Sequence, residues 1–170
     1  MTHCIIIMGV SGSGKTSLAQ KLAAHMKVEF IEADDFHPAQ NVAHMNSGKA
    51  LTDEMRIPWI HALIDRVSDL TQNQQGFVMS YSGLRKSHRD LFKEHCKGCK
   101  FIMLNLGFDV IKQRLTQRKN HFMPTSLLES QFEALDMPTD NEPYIQVING
   151  DASVDALLAQ TFDMLNHWIE

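Results

Sequence analysis

The chain has 170 residues, of which 44% are hydrophobic and 21% charged, a composition typical of a folded globular domain. Its formal net charge of −4 gives the surface no general attraction for nucleic acid or for an anionic membrane, so we expect neither as a partner. Any site for an anion must therefore be a local group of Lys and Arg side chains.

The three cysteines, Cys4, Cys96 and Cys99, form a sparse and odd-numbered set. The apolar run "HCIIIM" (3–8) is too short for a signal core or a membrane span, so we expect a reducing, cytoplasmic location. Cys96 and Cys99 could form half of a metal site, but a four-ligand site needs a second pair at similar spacing. Two free thiols at a helix end are the preferred prediction.

Apolar runs typical of buried strands alternate with helical patterns along the chain. Strands are predicted at 3–8, 28–33, 76–82, 100–106 and 144–149. Helices are predicted at 14–26, around 60–67, around 110–115, and from an N-cap at Ser153 towards the end. This alternation predicts an α/β fold, with a five-stranded parallel sheet and helices on both faces, in a single domain covering 1–170. The least regular parts, 36–60 and 117–143, are expected to face a substrate.

The segment "MGVSGSGKTSL" (8–18) follows the first strand and contains the full pattern G-x-x-x-x-G-K-[ST], the phosphate-binding P-loop. Its glycines allow several backbone N–H groups to point into one concavity, at the positive end of the next helix. Lys15 is predicted to bind the β- and γ-phosphates of ATP, and the Thr16 hydroxyl to ligate Mg²⁺. The predicted nucleotide-binding residues are Gly9, Ser11, Gly12, Ser13, Gly14, Lys15, Thr16 and Ser17.

A P-loop alone does not decide between a switch, a motor and a kinase. The guanine-binding pattern N-K-x-D is absent from the sequence, which argues against a regulatory GTPase. A nucleotide-binding regulatory protein without catalysis remains an alternative at this point.

An acidic turn, "EADDFHP" (32–38), follows the second predicted strand. Ligands of an open parallel sheet bind beyond the carboxyl ends of its strands, so this turn is expected to face the P-loop. A carboxylate here can hold Mg²⁺ or accept a proton from an attacking hydroxyl. A solvated acidic turn is the alternative.

Three basic groups could bind anionic parts of a substrate. Arg56 offers a planar fork for a carboxylate, although pairing with the neighbouring Asp53 would also explain it. The stretch "SGLRKSHRD" (82–90) places cations at a predicted helix start, where the helix dipole disfavours them. Arg114 and Arg118 share one helix face before "NHFMP" and suit a lid over transferring phosphate, or else an exposed basic helix end.

Together the motifs "MGVSGSGKT", "ADDFHP", "LTDEMRIPW", "SGLRKSHRD", "RKNHFMP" and "LLESQFEALDMP" resemble those of the gluconokinase family. The resemblance covers about residues 5–150 and implies a fold related to nucleoside-monophosphate and shikimate kinases, with a substrate-binding insertion at about 36–60 and a lid at about 117–130. It implies phosphorylation of the 6-hydroxyl of D-gluconate by Mg-ATP in a homodimer.

The same resemblance implies roles for individual residues. Asp34 becomes the carboxylate that orients or deprotonates the hydroxyl, with Glu32 or Asp35 near the metal. Arg56 becomes the partner of the gluconate carboxylate. Phosphate or transition-state contacts fall to Lys86, Arg114 and Arg118, and polyol contacts or lid structure to His37 and His121.

One stretch departs from the family pattern. Relatives typically read "CSALK" where this chain has "YSGLR" (81–85). A tyrosine at 81 is expected to reshape the sugar pocket, which leaves open a related kinase acting on another sugar acid.

Overall fold

The structure, a computed structural model, describes residues 3–117 and 124–168. Its five strands are β1 (Cys4–Met8), β2 (Glu29–Glu32), β3 (Phe77–Tyr81), β4 (Lys100–Asn105) and β5 (Ile145–Asn149). They form one sheet in the order β2-β3-β1-β4-β5, and every neighbouring pair is parallel. The predicted parallel sheet is confirmed, with strand ends within one or two residues of the expectation.

The helices are α1 (Lys15–Met26), α2 (Ala39–Asn46), α3 (Asp53–Gln72), α4 (Lys86–His95), α5 (Phe108–Thr116), α6 (Thr125–Ala134) and α7 (Val154–His167). A short 3-10 turn, Ala33–Phe36, follows β2. The predicted N-cap of the last helix is confirmed, because the Ser153 hydroxyl accepts the N–H of Ala156 at 3.2 Å.

The core lies on both faces of the sheet because each strand sends alternate side chains to opposite sides. In β1, Ile6 and Met8 join the cluster packed under α3 and α4, whereas Ile5 and Ile7 join the cluster under α1 and α7. Burial on both faces explains the unbroken apolar runs of the central strands.

Two segments that show no regular pattern in the sequence nevertheless contain helices. Segment 36–60 contains α2 and the start of α3, where the Thr52 side chain accepts the N–H of Met55 and caps the helix. Segment 117–143 contains α6, whose buried residues Leu128 and Ala134 pack against the core. In both, few residues are buried, so the apolar periodicity that identifies a helix in the sequence is weak.

The prediction of two free thiols at the end of α4 was wrong. Cys96 and Cys99 form a disulfide in this structure, while Cys4 is free and buried in β1. A turn in which the Cys99 N–H donates to the Cys96 carbonyl brings the two side chains together.

Candidate active site

The P-loop runs from the end of β1 to the start of α1 and needs glycine at defined points. Gly9 has φ 150°, and a Cβ there would lie 2.7 Å from the Ser13 hydroxyl. Gly12 has φ 82°, and a Cβ there would lie 3.1 Å from the Leu115 side chain. These positions favour glycine both for its backbone freedom and for the close packing of the loop. The positive φ angles and close contacts at Gly9 and Gly12 therefore explain why the P-loop pattern requires glycine at these positions.

Thr16, in the first turn of α1, contacts two polar side chains at the ends of neighbouring strands. Its hydroxyl donates to Glu32 Oε2 at 2.9 Å and lies 3.2 Å from the Ser80 hydroxyl. The second oxygen of Glu32, Oε1, is buried without a hydrogen-bond partner. Asp35, the alternative metal residue, is exposed in the 3-10 turn.

These residues fit a magnesium ion, which prefers oxygen ligands and is usually bound through one or two carboxylates together with substrate phosphates. The buried Glu32 Oε1 is a free acceptor beside the hydroxyl predicted to ligate the metal. Within the ranges 3–117 and 124–168, no group of three His, Cys, Asp or Glu residues could hold a metal.

Asp34 follows directly on the same turn and is open to solvent, with its side chain 66% exposed. Its Oδ1 lies 3.8 Å from Nε2 of His37. The His37 ring stacks on Trp59 at 4.0 Å between ring centroids, and Trp59 in turn donates to the Ala33 carbonyl at 2.7 Å. Burial lowers the pKa of His37, and nearby Arg56 lowers it further against the opposing effect of Asp34. A neutral imidazole therefore lies beside the carboxylate predicted to act on the substrate hydroxyl.

Arg56 lies close enough to this group to affect the pKa values of both His37 and buried His88. It donates to Asp53 Oδ1 at 2.8 Å, as the simpler sequence interpretation expected. Arg85, from the loop after β3, approaches the same Asp53 at 3.8 Å. Two guanidinium groups thus share one carboxylate on the side of the sheet where Asp34 lies. A bound anion could replace that carboxylate as their partner.

Tyr81 departs from the family pattern but lies in the core. It is 1% exposed, with its ring 5.3 Å from that of Trp59 and 4.9 Å from that of Phe92. Burial raises its pKa well above the usual value for tyrosine. We expected Tyr81 to reshape the sugar pocket. In this structure its side chain is buried and offers almost no surface to a pocket.

Gly83, in the same stretch, has φ 58°, and an added Cβ would clash with the side chain of Met8. Glycine at this position is therefore matched to a methionine at the end of β1, and the departures at positions 81 and 83 reflect local packing.

The cations at the start of α4 have different surroundings. Lys86 Nζ pairs with Asp90 on its own helix at 2.6 Å. Arg89, one of the cations of the stretch 82–90, is fully buried and forms a bidentate pair with Glu142 at 2.7 and 2.8 Å. It also donates to the carbonyl of Gly83, so it stabilises the loop after β3 from beneath.

Arg114 lies between the P-loop and the loop after β5. Its guanidinium donates to Asp151 at 3.0 Å, to the Gly150 carbonyl at 3.3 Å and to the Ser13 carbonyl at 3.5 Å. An open cleft of about 530 Å³ adjoins it, lined in part by Gly107, Val110 and Asp151. Arg114 therefore lies beside "NGD" (149–151), the loop that follows β5.

Arg118 and His121 lie outside the described residues.

Two site residues were missed by sequence reasoning although signals for them existed. Ser80 is a buried polar residue at the end of an apolar strand, and Gln131 lies in "SQFE" (130–133), where its Oε1 accepts the Ser11 N–H at 2.7 Å. Glu142 gave no signal, because the buried arginine that requires it is 53 residues away in the sequence.

Comparison with known proteins agrees with this geometry. A family model described as an AAA domain matches residues 4–138. The thermosensitive gluconokinase of Escherichia coli (strain K12) is 43% identical over 138 residues, covering 81% of this chain and 73% of the relative. The thermoresistant gluconokinase of the same organism is 36% identical over 163 residues, covering 96% of this chain and 93% of the relative. The chain belongs to the gluconokinase family.

A solved gluconokinase structure from Sinorhizobium meliloti 1021 has a TM-score of 0.88 at 33% identity, covering 97% of this chain and 92% of the other. The resemblance drawn from the motifs is thus confirmed over nearly the whole chain. The chain is a P-loop kinase with an alcohol group as acceptor. In the part of the chain that the structure describes, no helix is long and apolar enough to cross a membrane.

Proposed function

We propose that this protein transfers the γ-phosphate of Mg-ATP to the 6-hydroxyl of D-gluconate, giving 6-phosphogluconate and ADP. The observation that carries the proposal is the bond between Thr16 of the P-loop and Glu32, two residues before Asp34. It brings the phosphate-binding loop to the turn that offers an exposed carboxylate. Gluconokinase relatives and the full set of family motifs support gluconate as the acceptor.

In this proposal the P-loop backbone and Lys15 bind the ATP phosphates, and Asp34 orients the 6-hydroxyl or accepts its proton. Thr16 and Glu32 would hold Mg²⁺, which would neutralise charge on the phosphate oxygens. Glu32 is preferred to Asp35 for this role because it contacts Thr16 and has a buried free oxygen. Such catalysis depends mainly on positioning and on preorganised charge.

The gluconate carboxylate is assigned to Arg56, with Arg85 beside it. Both are held by Asp53 in this structure, so binding of gluconate exchanges one carboxylate for another at the same guanidinium groups. His37 is proposed to contact the polyol chain or Asp34 as a neutral imidazole, since burial lowers its pKa. Lys86 is proposed to contact phosphate by exchanging its present partner, Asp90, for the substrate.

Arg114, expected to contact phosphate, is proposed to lie on the nucleotide side of the site, because it donates to the Ser13 carbonyl of the P-loop and pairs with Asp151. Direct contact with the transferring phosphate is proposed for Arg118, and His121 is proposed to belong to the same lid, at about 117–130. The substrate-binding insertion is proposed at about 36–60, which the structure shows to include α2. A single domain, a homodimer and a cytoplasmic location complete the proposal.

The experiment is ADP release from Mg-ATP with D-gluconate, other aldonates, glycerate, shikimate and nucleoside monophosphates as acceptors. We expect turnover with D-gluconate to exceed that with every other acceptor. Preference for another aldonate would keep the kinase and reject the substrate, and ATP binding without turnover on any acceptor would reject the catalytic proposal.

A further inference from the structure

One contact joins the P-loop to α6 at Gln131, a residue to which the mechanism above assigns no role. The side-chain carbonyl of Gln131 accepts the backbone N–H of Ser11 at 2.7 Å, across 120 residues of sequence. Both groups are partly buried. A short bond of this kind fixes the direction of one N–H in a loop whose task is to direct N–H groups.

The position of Gln131 is itself fixed by the packing of α6. Leu128 and Ala134 on this helix are buried, and the ring of Phe132 packs edge-on against Phe108 of α5 at 5.3 Å between centroids. Immediately after α6, the Asp136 N–H donates to the Leu84 carbonyl at 2.8 Å. The side chain of Gln131 therefore projects from a helix that is packed against the core on both sides of this residue.

The P-loop is held from outside at neighbouring points as well. The Gly9 N–H donates to the Ser82 carbonyl at 3.2 Å, and within the loop the Ser13 N–H donates to the Val10 carbonyl at the same distance. Gly12 lies against Leu115 of α5 so closely that a methyl group would be crowded. The Ser11 N–H, between these points, is directed towards α6 and takes its acceptor from there.

We propose that Gln131 is a positioning residue for the phosphate loop, which holds the loop in its nucleotide-binding conformation through the Ser11 N–H. The inference rests on the proposed kinase function, but it is tested by ATP binding alone, without phosphoryl transfer. A loop held in its bound conformation before binding loses less conformational freedom when the phosphates arrive. Removal of the acceptor leaves a partly buried N–H without its partner and the loop free to relax. Removal of the Gln131 acceptor is therefore expected to weaken the binding of ATP.

The test is the dissociation constant for Mg-ATP, measured by titration calorimetry without any acceptor substrate. The variant Gln131→Met keeps the length and packing of the side chain and removes the hydrogen-bond acceptor. We expect Mg-ATP binding to weaken by about three- to tenfold, the effect of one typical hydrogen bond, while KM for the acceptor and the melting temperature stay close to wild type. The matched control is Gln113→Met, the same substitution at an exposed position of α5, which should leave the dissociation constant unchanged.

A second variant, Gln131→Glu, retains an oxygen acceptor but adds a negative charge near the triphosphate. Its affinity deficit relative to wild type should shrink as salt is raised, because screening removes the charge effect and leaves the hydrogen bond. The deficit of Gln131→Met should persist at every salt concentration. If Gln131→Met fails to fold, Gln131→Glu still tests the proposal, because an affinity deficit that persists at high salt would contradict it.

An unchanged or tighter dissociation constant in Gln131→Met would overturn the proposal, the latter by showing that Gln131 competes with a phosphate oxygen. A lower melting temperature with unchanged ATP affinity would also overturn it, since that is the result of a purely structural role. Failure of wild type to phosphorylate gluconate would reject the proposed function and leave this binding test valid.

Discussion

Lys15 begins α1 directly after the P-loop glycines. In the proposed mechanism its positive charge lies beside the β- and γ-phosphates. We expect Lys15→Ala to lower kcat with gluconate by about 10²–10³-fold, the typical effect of removing one preorganised charge or hydrogen-bond donor from a transition state. The measurement is steady-state ADP release, with circular dichroism to verify folding. Lys21→Ala, an exposed lysine one and a half turns further along the same helix, is the control and should stay near wild type. A similar kcat for Lys15→Ala and wild type would reject the mechanism.

Two histidines make stability depend on pH. Burial lowers the pKa of His37 and of His88 below the usual 6.5. The charged groups near His37 are Asp34 and Arg56. Those near His88 are Asp53, Arg56, Arg85 and Asp136. The unfolded chain therefore takes up protons at a higher pH than the folded protein does, so their contribution to stability is present above about pH 6.5 and is lost as pH falls through the lower folded values.

We therefore expect the melting temperature to fall between pH 7 and 5, and to fall less steeply in His88→Asn than in wild type. Thermal unfolding followed by circular dichroism at half-unit pH steps measures both slopes. His44→Asn, at a more exposed histidine of α2, is the control. Equal slopes for His88→Asn and wild type would contradict the assignment of this proton uptake.

At this scale the sequence predicted residues whose role is local. The P-loop pattern specifies its own geometry within eight consecutive residues, and the acidic turn follows its strand directly. Partnerships across the fold were beyond sequence reasoning, since Gln131 with Ser11 and Arg89 with Glu142 depend on how distant segments pack. A glutamine or a glutamate in a polar stretch carries no sign of such a partner.

The elements around the site are joined by buried ion pairing rather than by apolar packing alone. Arg89 of α4 and Glu142, ahead of β5, are 0% and 1% exposed in their side chains, whereas Arg66 of α3 and Glu29 of β2 form a comparable pair at 35% and 39% exposure. Removal of one partner from a buried pair leaves an unpaired buried charge, which costs far more than loss of an exposed pair.

We expect Arg89→Met to lower the free energy of unfolding by about 3–5 kcal/mol, and the matched Arg66→Met by about 1 kcal/mol or less. Urea unfolding at pH 7 measures both values. Equal losses in the two variants would show that burial of the Arg89–Glu142 pair has no special effect on the joint between α4 and β5.

Among the elements, strands were predictable and two helices were not. The unbroken apolar runs of β1, β3 and β4 follow from burial on both sheet faces, so their positions are evident in the sequence. Helix α2 buries only Asn41, and α6 buries only Leu128 and Ala134 among its described residues, so neither shows a clear apolar face. Their helical state depends on caps and on tertiary contacts.

At the scale of the whole molecule, the strand order explains why a site exists at all. Because β3 lies between β2 and β1, the carboxyl ends of three adjacent parallel strands bring together Glu32, Ser80 and the P-loop. The far side of β1 adds the loops after β4 and β5, where Arg114 and Asp151 meet. The alternation of strands and helices predicted this parallel sheet and the edge at which ligands bind. The strand order itself came only from the structure.

The proposed function divides the sheet edge between two substrates. It assigns residues after β2 and β3 to the acceptor, and residues after β4 and β5 to the nucleotide, with the P-loop between them. In the proposed mechanism, transfer takes place at the centre of the edge, next to Thr16 and Asp34.

The most direct test of this account is the position of the phosphate in the product formed from D-gluconate and Mg-ATP. Phosphorus–proton coupling in the nuclear magnetic resonance spectrum identifies the carbon that carries the new phosphate ester, for wild type and for Asp34→Asn. The account predicts a single ester at carbon 6 with wild type, and a rate at least about 10²-fold lower with Asp34→Asn. An ester at another carbon, no ester at all, or equal rates for the two proteins would contradict it.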